Sequence, residues 1–334
     1  MGIVNTRIVL ARRPVREATA DCFAVEVEPL SDLEAGQVRV AVEFISVDAG
    51  TRTMLRGEGF HRQVALGQVI HAGGVGRIIE SKADGWTVGD AVRGGLGAQT
   101  IATLSPKLIE KLDDSTAPLS AHLGVLGGST GVTAWIGVRR VARPKPGDVF
   151  VVSAAAGAVG SLAGQIAKRD GARVIGIAGG PRKVEYLTGE LGFDDAIDYK
   201  NEDVNQRLRQ LAPDGVNIFF DNVGGPILDA VLDNLALRAR VVICGAISQY
   251  DDMNNVVGPS LYLRLAERQS CMEGFAYFHF PESFADATSE LTAWLSDGSI
   301  VLAEEVLEGI DRYPDALQFM FNGGNLGKLL VKVN

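Results

Sequence analysis

The chain has 334 residues, a formal net charge of -9, 46% hydrophobic residues and 22% charged residues. This length exceeds one average domain and the composition is that of an ordinary globular protein, so we expect two domains. The acidic balance disfavours nucleic acid or an anionic membrane as a partner. With no signal-like start and no run of about 18 apolar residues, the cytoplasm is the expected compartment.

The first part of the chain, up to about residue 120, is predicted to be rich in β-strands. Residues 38–47 alternate and then become wholly apolar, and residues 67–80 and 85–94 are strands punctuated by glycine. Short strands with glycine turns are typical of a small barrel or sandwich. A helix is predicted over residues 130–141, ending before Pro144.

Residues 148–178 carry the pattern around which the rest of the chain is organised. An apolar run at 149–152 leads into the small-residue turn S-A-A-A-G-A-V-G, a helical pattern to about residue 169 and a strand at 173–177. This is the βαβ context of a dinucleotide-binding site, in which Gly157 lets the backbone approach a pyrophosphate and Gly160 allows close helix packing. Ala155 replaces the first glycine of G-x-G-x-x-G, and a tight turn in a non-binding α/β domain is the alternative interpretation.

The alternation of helix and strand continues after this unit. Helices are predicted at 182–191, 204–211 and 226–235, strands at 196–199, 216–220 and 240–244, and weaker elements at 262–268 and 271–275. A helix at 281–296 and a strand-helix-strand tail at 304–334 follow. We therefore predict an α/β fold, with a doubly wound parallel Rossmann sheet in residues 124–299 and a smaller β-rich domain formed by residues 1–123 and 300–334.

The tip of the second strand of the βαβ unit indicates which nucleotide is bound. NAD sites place a carboxylate there to bind the ribose 2′-OH. Here the tip contains Gly179 and Gly180, and Arg182 and Lys183 follow. A tip with two cations and no acid favours a 2′-phosphate, so NADPH is the expected cofactor. The alternative is that both cations belong to a solvated first helical turn.

Zinc and disulfides are not expected, because the residues that would form them are scattered. None of them has the spacing of a zinc site or of a disulfide framework. They are Cys22, Cys244, Cys271, His61, His71, His122 and His279.

The chain resembles a medium-chain dehydrogenase/reductase, and more narrowly the zinc-free family of prostaglandin, curcumin and plant alkenal double-bond reductases. The resemblance covers nearly the whole chain, and its most specific segments are F-D-N-V-G-G (220–225), G-A-I-S-Q-Y (245–250) and G-N-L-G-K (324–328). It implies a GroES-like fold for the β-rich domain, NADPH as cofactor and a homodimer. The implied reaction is reduction of the C=C bond of an α,β-unsaturated aldehyde or ketone.

The resemblance also implies which residues bind NADPH. The glycine turn would hold the pyrophosphate, Lys183 and Tyr199 the 2′-phosphoadenosine end, and Phe275, Ala276 and Tyr277 the nicotinamide side. The remaining cofactor residues would be Ala158, Val159, Asn222, Cys244, Gly245, Ala246, Ile247, Ser248, Tyr250 and Asn325.

Three departures from the family pattern concern the substrate side. The family commonly has D-P-Y-M-R where residues 48–52 are D-A-G-T-R, and G-M-P-G where residues 127–131 are one residue longer. Glu267 occupies the place of a tyrosine found in prostaglandin reductases. The family's cofactor-binding residues can therefore be located in this chain more directly than its substrate-binding residues.

The candidate catalytic residues are Tyr250 and Tyr262, which flank a loop at 251–260 that could act as a lid. No tyrosine is followed four residues later by lysine, so carbonyl reduction of the short-chain type has no apparent acid. Two other functions remain open: a quinone reductase of the same superfamily, and a non-catalytic NADPH-binding sensor or scaffold. Residues 271–277 are apolar enough to be an edge strand through which the chain self-associates.

Overall fold

The computed structural model describes residues 3–15, 17–57 and 62–334, so His61 lies outside the described residues. The chain forms two compact units: the first contains Met1–Gly124, Asp251–Asn254 and Glu304–Asn334, and the second contains Val125–Tyr250 and Asn255–Ala303. The sequence-based division differs from these units at Gly124, at Asp251–Asn254 and at residues 300–303.

The helices and strands follow the chain in this order. The strands are β1 (Val4–Leu10), β2 (Phe23–Pro29), β3 (Val38–Ser46), β4 (Gly74–Ser81), β5 (Ala91–Gly94), β6 (Ile101–Leu104), β7 (Ile109–Lys111), β8 (Val149–Ser153), β9 (Arg173–Ala178), β10 (Asp195–Asp198), β11 (Val216–Asp221), β12 (Leu235–Ile243), β13 (Cys271–Gly274), β14 (Glu304–Glu308) and β15 (Lys328–Lys332). The α-helices are α1 (Thr51–Arg56), α2 (Thr133–Ile136), α3 (Ala158–Arg169), α4 (Pro181–Glu185), α5 (Val204–Leu211), α6 (Gly225–Leu232), α7 (Leu263–Glu267), α8 (Phe284–Ser296) and α9 (Tyr313–Phe321).

The first unit is built mainly from antiparallel strands. Strand β3 lies at its centre and pairs with β4, β6 and β15. Because β15 comes from the C-terminal tail, the end of the chain completes this sheet. Apolar side chains of β3 such as Val38 and Val40 are fully buried beneath it, as expected for a sheet with one face on a core.

The second unit contains a six-stranded parallel sheet with the strand order β10-β9-β8-β11-β12-β13. This confirms the predicted doubly wound Rossmann sheet. The order reverses between β8 and β11, and ligands of such sheets bind outside the carboxyl ends of the strands at that point. Phe150, Val151 and Val152 of β8 are fully buried, because helices cover both faces of the sheet.

Glycines allow α3 to approach its neighbours closely. An ideal Cβ on Gly160 would lie 2.4 Å from the Ala154 oxygen, and one on Gly164 would lie 2.1 Å from the Phe193 ring. The expected close packing at Gly160 is therefore present, although its contact is with the turn that follows β8 rather than with the strand itself.

Several predicted elements differ from the structure. The helix predicted at 182–191, for example, is split into α4 and a π-helical turn (Tyr186–Glu190). The helix predicted at 130–141 runs as a π-helical turn (Gly128–Val132), α2 and a second π-helical turn (Gly137–Ala142). The strand predicted at 240–244 begins at Leu235, where the preceding helix was expected to end. Leu235 pairs with Val216 of β11, so pairing within the sheet overrides the local helical pattern.

Candidate functional site

The turn between β8 and α3 presents the start of a twelve-residue helix at the carboxyl edge of the sheet. Ala154 has a φ of 47°, a left-handed conformation that a non-glycine residue rarely adopts. The first turn of α3 contains Ala158, Val159 and Gly160, directly after Gly157. N–H groups in the first turn of a helix have no partner within it and favour anions. The geometry suits a pyrophosphate.

The tip of β9 is built from Gly179, Gly180 and the neighbouring Tyr199. An ideal Cβ on Gly179 would lie 2.8 Å from the Tyr199 ring, so a side chain there would displace the tyrosine. Arg182 and Lys183 follow in α4. The structure thus brings together the residues predicted to hold the adenosine end, and their roles remain predictions.

A carboxylate that the sequence analysis did not consider lies beside this tip. Asp198, at the end of β10, accepts hydrogen bonds from the Gly180 N–H at 2.8 Å, the Lys200 N–H at 3.1 Å and the Asn201 side chain at 2.7 Å. The Gly180 N–H is the main reason that the pKa of Asp198 is lowered. Both carboxylate oxygens bind the loop itself, so Asp198 shapes the tip.

A buried network joins the ends of β8 and β11. The Asp221 carboxylate accepts hydrogen bonds from the Ser153 hydroxyl at 2.8 Å and from the N–H groups of Val223 and Gly224 at 2.9 and 3.0 Å. The Asn222 N–H donates to the Ser153 hydroxyl, and its side chain donates to the Ser153 carbonyl, both at 2.8 Å. Burial raises the pKa of Asp221, and these donors oppose the increase.

The loop after β12 is bound to the loop after β11. The N–H groups of Cys244 and Gly245 donate to the Asp221 carbonyl at 2.9 and 3.1 Å. The Ser248 hydroxyl donates to the Val223 carbonyl at 2.6 Å, and the Ile247 N–H donates to the Asn222 carbonyl at 3.1 Å. The loop at 222–225, which contains the predicted cofactor residue Asn222, and the predicted cofactor segment at 244–250 therefore form one continuous surface at the carboxyl edge.

Tyr250 points back into this surface. Its hydroxyl accepts a hydrogen bond from the Ala246 N–H at 3.3 Å, and an ideal Cβ on Gly245 would lie 3.1 Å from the same oxygen. Burial raises the pKa of Tyr250 and raises the pKa of the Cys244 thiol to about 12, and Asp221 adds to both shifts. Both groups are therefore protonated at neutral pH, and the Tyr250 hydroxyl can donate a hydrogen bond.

Tyr262, the second candidate catalytic residue, is 59% exposed and immediately precedes α7. The loop before it is held at Leu261, whose N–H donates to the Asp229 carboxylate at 3.1 Å. Within the loop predicted as a lid, Asp251 forms an ion pair with Arg52, and the Val257 N–H donates to the Gln249 side chain at 3.2 Å. Tyr250 is half-buried whereas Tyr262 is exposed, so burial favours Tyr250 as the candidate catalytic residue.

The segment after β13 places its two aromatic rings in different surroundings. The Phe275 ring packs against Phe220, with centroids 6.2 Å apart, and an ideal Cβ on Gly137 would lie 2.6 Å from it. The Tyr277 ring packs against Gly128 and stacks on Phe284. Ala276 lies between them and is half-buried.

Sequence comparisons cover both units of the chain. A family model described as the N-terminal domain of oxidoreductase matches residues 6–112, and one described as zinc-binding dehydrogenase matches residues 158–293. YfmJ of Bacillus subtilis is 40% identical over 338 residues, covering 100% of this chain and 99% of that protein. The chain belongs to the medium-chain dehydrogenase/reductase family.

Further relatives place it in the branch of this family that contains the curcumin, alkenal and prostaglandin reductases. The 2-alkenal reductase (NADP(+)-dependent) of Nicotiana tabacum is 37% identical, covering 87% of this chain and 85% of that protein. The crystal structure of CurA from Vibrio vulnificus in complex with NADPH is 34% identical with a TM-score of 0.93, covering 98% of this chain and 99% of that chain.

One of the matching family models is described as zinc-binding. Whether this medium-chain dehydrogenase/reductase could bind a metal depends on how its potential ligands are grouped. Within residues 3–15, 17–57 and 62–334, no group of three or more His, Cys, Asp or Glu side chains could hold a metal ion. In the same part of the chain, no helix is both long and apolar enough to cross a membrane.

The family segment G-N-L-G-K meets residues 48–52, which depart from the family pattern, inside the first unit. Lys328, in G-N-L-G-K, is 1% exposed, and its ammonium lies 2.7 Å from the carboxylate of Asp48, in D-A-G-T-R. Burial alone would raise the pKa of Asp48, but Lys328 and the Ser46 hydroxyl lower it on balance. Asn325, predicted to bind the cofactor, is 8% exposed and donates to the Gly327 carbonyl at 3.0 Å.

Proposed function

We propose that this protein is an NADPH-dependent reductase of the C=C double bond of α,β-unsaturated aldehydes and ketones. The observation that carries the proposal is the surface formed by residues 222–225 and 244–250, on which Tyr250 supplies a protonated, half-buried hydroxyl. Relatives named 2-alkenal reductase and NADPH-dependent curcumin reductase, 37% and 33% identical, support the same chemistry.

The residues at the carboxyl edge of the sheet fit NADPH. The first turn of α3 offers N–H groups to a pyrophosphate, and Gly157 leaves its approach free of a side chain. The carboxylate nearest the tip of β9, that of Asp198, is already bound by its own loop. Arg182 and Lys183 supply positive charge for a 2′-phosphate. A related structure, CurA from Vibrio vulnificus, is a complex with NADPH.

The chemistry of the reduction sets what the protein must provide. NADPH, when bound, supplies the hydride that adds to the β-carbon of the substrate. The electron pair of the C=C bond then moves towards the carbonyl, so negative charge develops on the carbonyl oxygen until the α-carbon receives a proton from water. The product is the saturated aldehyde or ketone.

Tyr250 is the residue best placed to meet this requirement. Its oxygen accepts from the Ala246 N–H, which leaves its own proton available for the substrate oxygen. Because its pKa is raised by burial, the hydroxyl stays protonated and can donate to the developing negative charge. We assign Tyr250 this role and give the exposed Tyr262 a secondary place.

Product analysis tests the proposal. The purified protein is incubated with NADPH and a panel of enals, enones and quinones, and the products are identified by mass spectrometry and NMR. A saturated ketone or aldehyde supports the proposal. An allylic alcohol would show that the carbonyl carbon accepts the hydride, and turnover of quinones alone would indicate a quinone reductase. Tight NADPH binding without turnover of any acceptor would indicate a sensor or scaffold.

We also infer a homodimer that uses the edge strand β13. This strand ends the sheet next to β12, and the exposed Cys271 and Glu273 leave its outer edge open to another chain. Light scattering at micromolar concentration should give twice the 35.4 kDa mass of one chain. A mass of one chain would contradict the inference.

A further inference from the structure

We propose that Tyr277 is a specificity-determining residue, whose ring forms a fixed wall of the acceptor space beside the nicotinamide and whose position is set by Gly128. The inference deepens the proposed function and rests on it, because residues 275–277 are assigned to the nicotinamide side. Tyr277 comes three residues after the end of β13, at the carboxyl edge of the sheet where ligands bind.

The Tyr277 ring is held by aromatic neighbours on its own side of the unit. It stacks on Phe284 of α8, with centroids 6.0 Å apart and planes inclined by 28°. Phe278 meets it edge-on, with centroids 5.6 Å apart and planes inclined by 74°. Aromatic pairs in these geometries are favourable. The ring therefore has one preferred place, and because it is half-buried, part of it remains accessible.

Gly128 provides the space that the ring occupies. An ideal Cβ on Gly128 would lie 2.9 Å from Tyr277 Cε2 and 3.3 Å from the tyrosine oxygen. Gly128 begins the π-helical turn Gly128–Val132, and an ideal Cβ on Gly131 in that turn would lie 1.6 Å from the Val125 oxygen. The turn is thus packed against backbone at Gly131. The atoms nearest a side chain at residue 128 are those of the tyrosine ring, so we expect the ring to be displaced.

Phe275 shows why the backbone of this segment stays in place when residue 277 changes. Its ring lies against Phe220 and Phe280, with centroid distances of 6.2 and 6.5 Å, and against Gly137. Phe275 therefore anchors the segment to the packed interior of the second unit. Substitution of Tyr277 should change the shape of the surface without releasing the segment.

A fixed aromatic wall discriminates between acceptors by size. A flat, compact enone fits beside such a ring, whereas a substituent on the β-carbon collides with it. A difference of one methylene group in a hydrophobic pocket is worth about 10- to 200-fold in discrimination. Shortening residue 277 should therefore favour bulky acceptors over compact ones by about tenfold.

The test measures acceptor binding without requiring turnover. The complex with NADP⁺ cannot deliver a hydride, so dissociation constants for cyclohex-2-enone and for 4-phenylbut-3-en-2-one can be measured by calorimetry on the NADP⁺ complex. The proteins are the wild type, Tyr277→Val, Tyr277→Phe and Gly128→Ala. The control is Gly189→Ala, because an ideal Cβ on Gly189 meets no atom within 4 Å.

We expect Tyr277→Val to improve the ratio of affinities for the bulky over the compact enone by about tenfold. Tyr277→Phe, which keeps the ring, should leave the ratio unchanged. Gly128→Ala, which displaces the ring, should change the ratio of affinities. In the double variant Gly128→Ala/Tyr277→Val, the alanine should no longer change the ratio, because the tyrosine ring that it displaces is absent. Gly189→Ala should match the wild type.

Three results would overturn the inference. An unchanged ratio in Tyr277→Val would show that the ring does not border the acceptor. A change in Tyr277→Phe as large as that in Tyr277→Val would mean that the hydroxyl, not the ring, selects the substrate. Failure of the wild-type NADP⁺ complex to bind either enone would overturn the proposed function, and this inference with it.

Discussion

The Ser153 hydroxyl donates a 2.8 Å hydrogen bond to the Asp221 carboxylate, and this bond joins the ends of the two strands between which the sheet order reverses. The two residues are 0% and 1% exposed. Burial raises the pKa of Asp221, and the Ser153 hydroxyl is one of the donors that stabilise its charged form. The cofactor surface is therefore assembled around a buried carboxylate.

Ser153→Ala should lower the free energy of unfolding by about 2 kcal/mol at pH 8, because it removes a hydrogen bond to a buried charged group. An acid whose pKa is raised on folding contributes stability that is present at low pH and is lost as the pH rises through the folded pKa. Removing Ser153 raises that pKa further. The destabilisation, measured by urea unfolding, should therefore be larger at pH 8 than at pH 5.

Ser161→Ala is the matched control for this experiment. Ser161 is also 0% exposed, and its hydroxyl donates to the Ala158 carbonyl rather than to a carboxylate, at 3.3 Å. Its effect on unfolding should be the same at both pH values. If the effect of Ser153→Ala were equally independent of pH, the bond to Asp221 would not be the reason for the loss.

Lys183→Ala should weaken NADPH binding by roughly 10- to 100-fold, the value of a hydrogen bond from a cation to a charged group, and should leave NADH binding nearly unchanged. The basis is the tip of β9, where Asp198 is bound by the loop and Arg182 and Lys183 supply positive charge for a 2′-phosphate. Fluorescence titration with each nucleotide measures both affinities. Lys168→Ala, which removes a half-buried lysine paired with Asp194, is the control. Equal weakening of both nucleotides would contradict the prediction.

The order of elements in the second unit was predictable because each strand is a short apolar run and each turn is marked by glycine or proline. The βαβ unit at 148–178 and the helix at 204–211 agree closely with the structure. The predicted helix boundary at Leu235 was wrong. The apolar residues there suit a helix or a strand equally, and only the pairing of Leu235 with Val216 decides between the two. The π-helical turn at Gly128–Val132 lies where the resemblance indicates one residue more than the family pattern, and π-helical turns occur as single-turn bulges in helices.

The side-chain partners at the site were less predictable, because they depend on loop conformation. The sequence indicated Asn222 as a cofactor residue, but not that the Asp221 carboxylate accepts hydrogen bonds from the donors around it. The pair Lys328–Asp48 joins residues 280 positions apart, and local pattern carries no signal for such a contact. Tyr250 and Tyr262 were equivalent candidates until burial separated them.

Gly160→Ala should destabilise the protein by about 1–3 kcal/mol, because the new methyl group would lie 2.4 Å from the Ala154 oxygen. The start of α3 must then move away from the turn, so NADPH affinity should fall as well. Thermal unfolding and fluorescence titration measure the two effects. Gly189→Ala, which meets nothing within 4 Å, should be neutral or slightly stabilising. If Gly160→Ala were destabilised but bound NADPH with unchanged affinity, the start of α3 would not contribute to cofactor binding.

Removal of metal should leave activity unchanged. The expectation rests on the scattered cysteines and histidines, since among the residues that the structure describes none form a group able to hold a metal ion. The protein is dialysed against a strong chelator, its metal content is measured by elemental analysis, and enone reduction is assayed before and after. One tightly held zinc per chain, with activity lost on its removal, would refute the prediction.

Tyr250→Phe should lower kcat for enone reduction by about 10²- to 10³-fold, the usual cost of losing one donor to a developing oxyanion. Stability should change little. Because burial raises the pKa of Tyr250 above its usual value near 10, the wild-type rate should show no loss from tyrosine ionisation up to about pH 9. Steady-state kinetics with an enone and NADPH, across pH 6–9, measures these quantities.

Tyr262→Phe provides the comparison within the same chain. Its ring is 59% exposed, so loss of its hydroxyl should alter kcat by less than about twofold if Tyr250 is the donor, within the usual range for surface changes. The kinetic parameter that responds also identifies the role of Tyr250. A rise confined to the KM for NADPH would show that its hydroxyl contacts the cofactor, and a large loss in Tyr262→Phe would transfer the donor role to Tyr262.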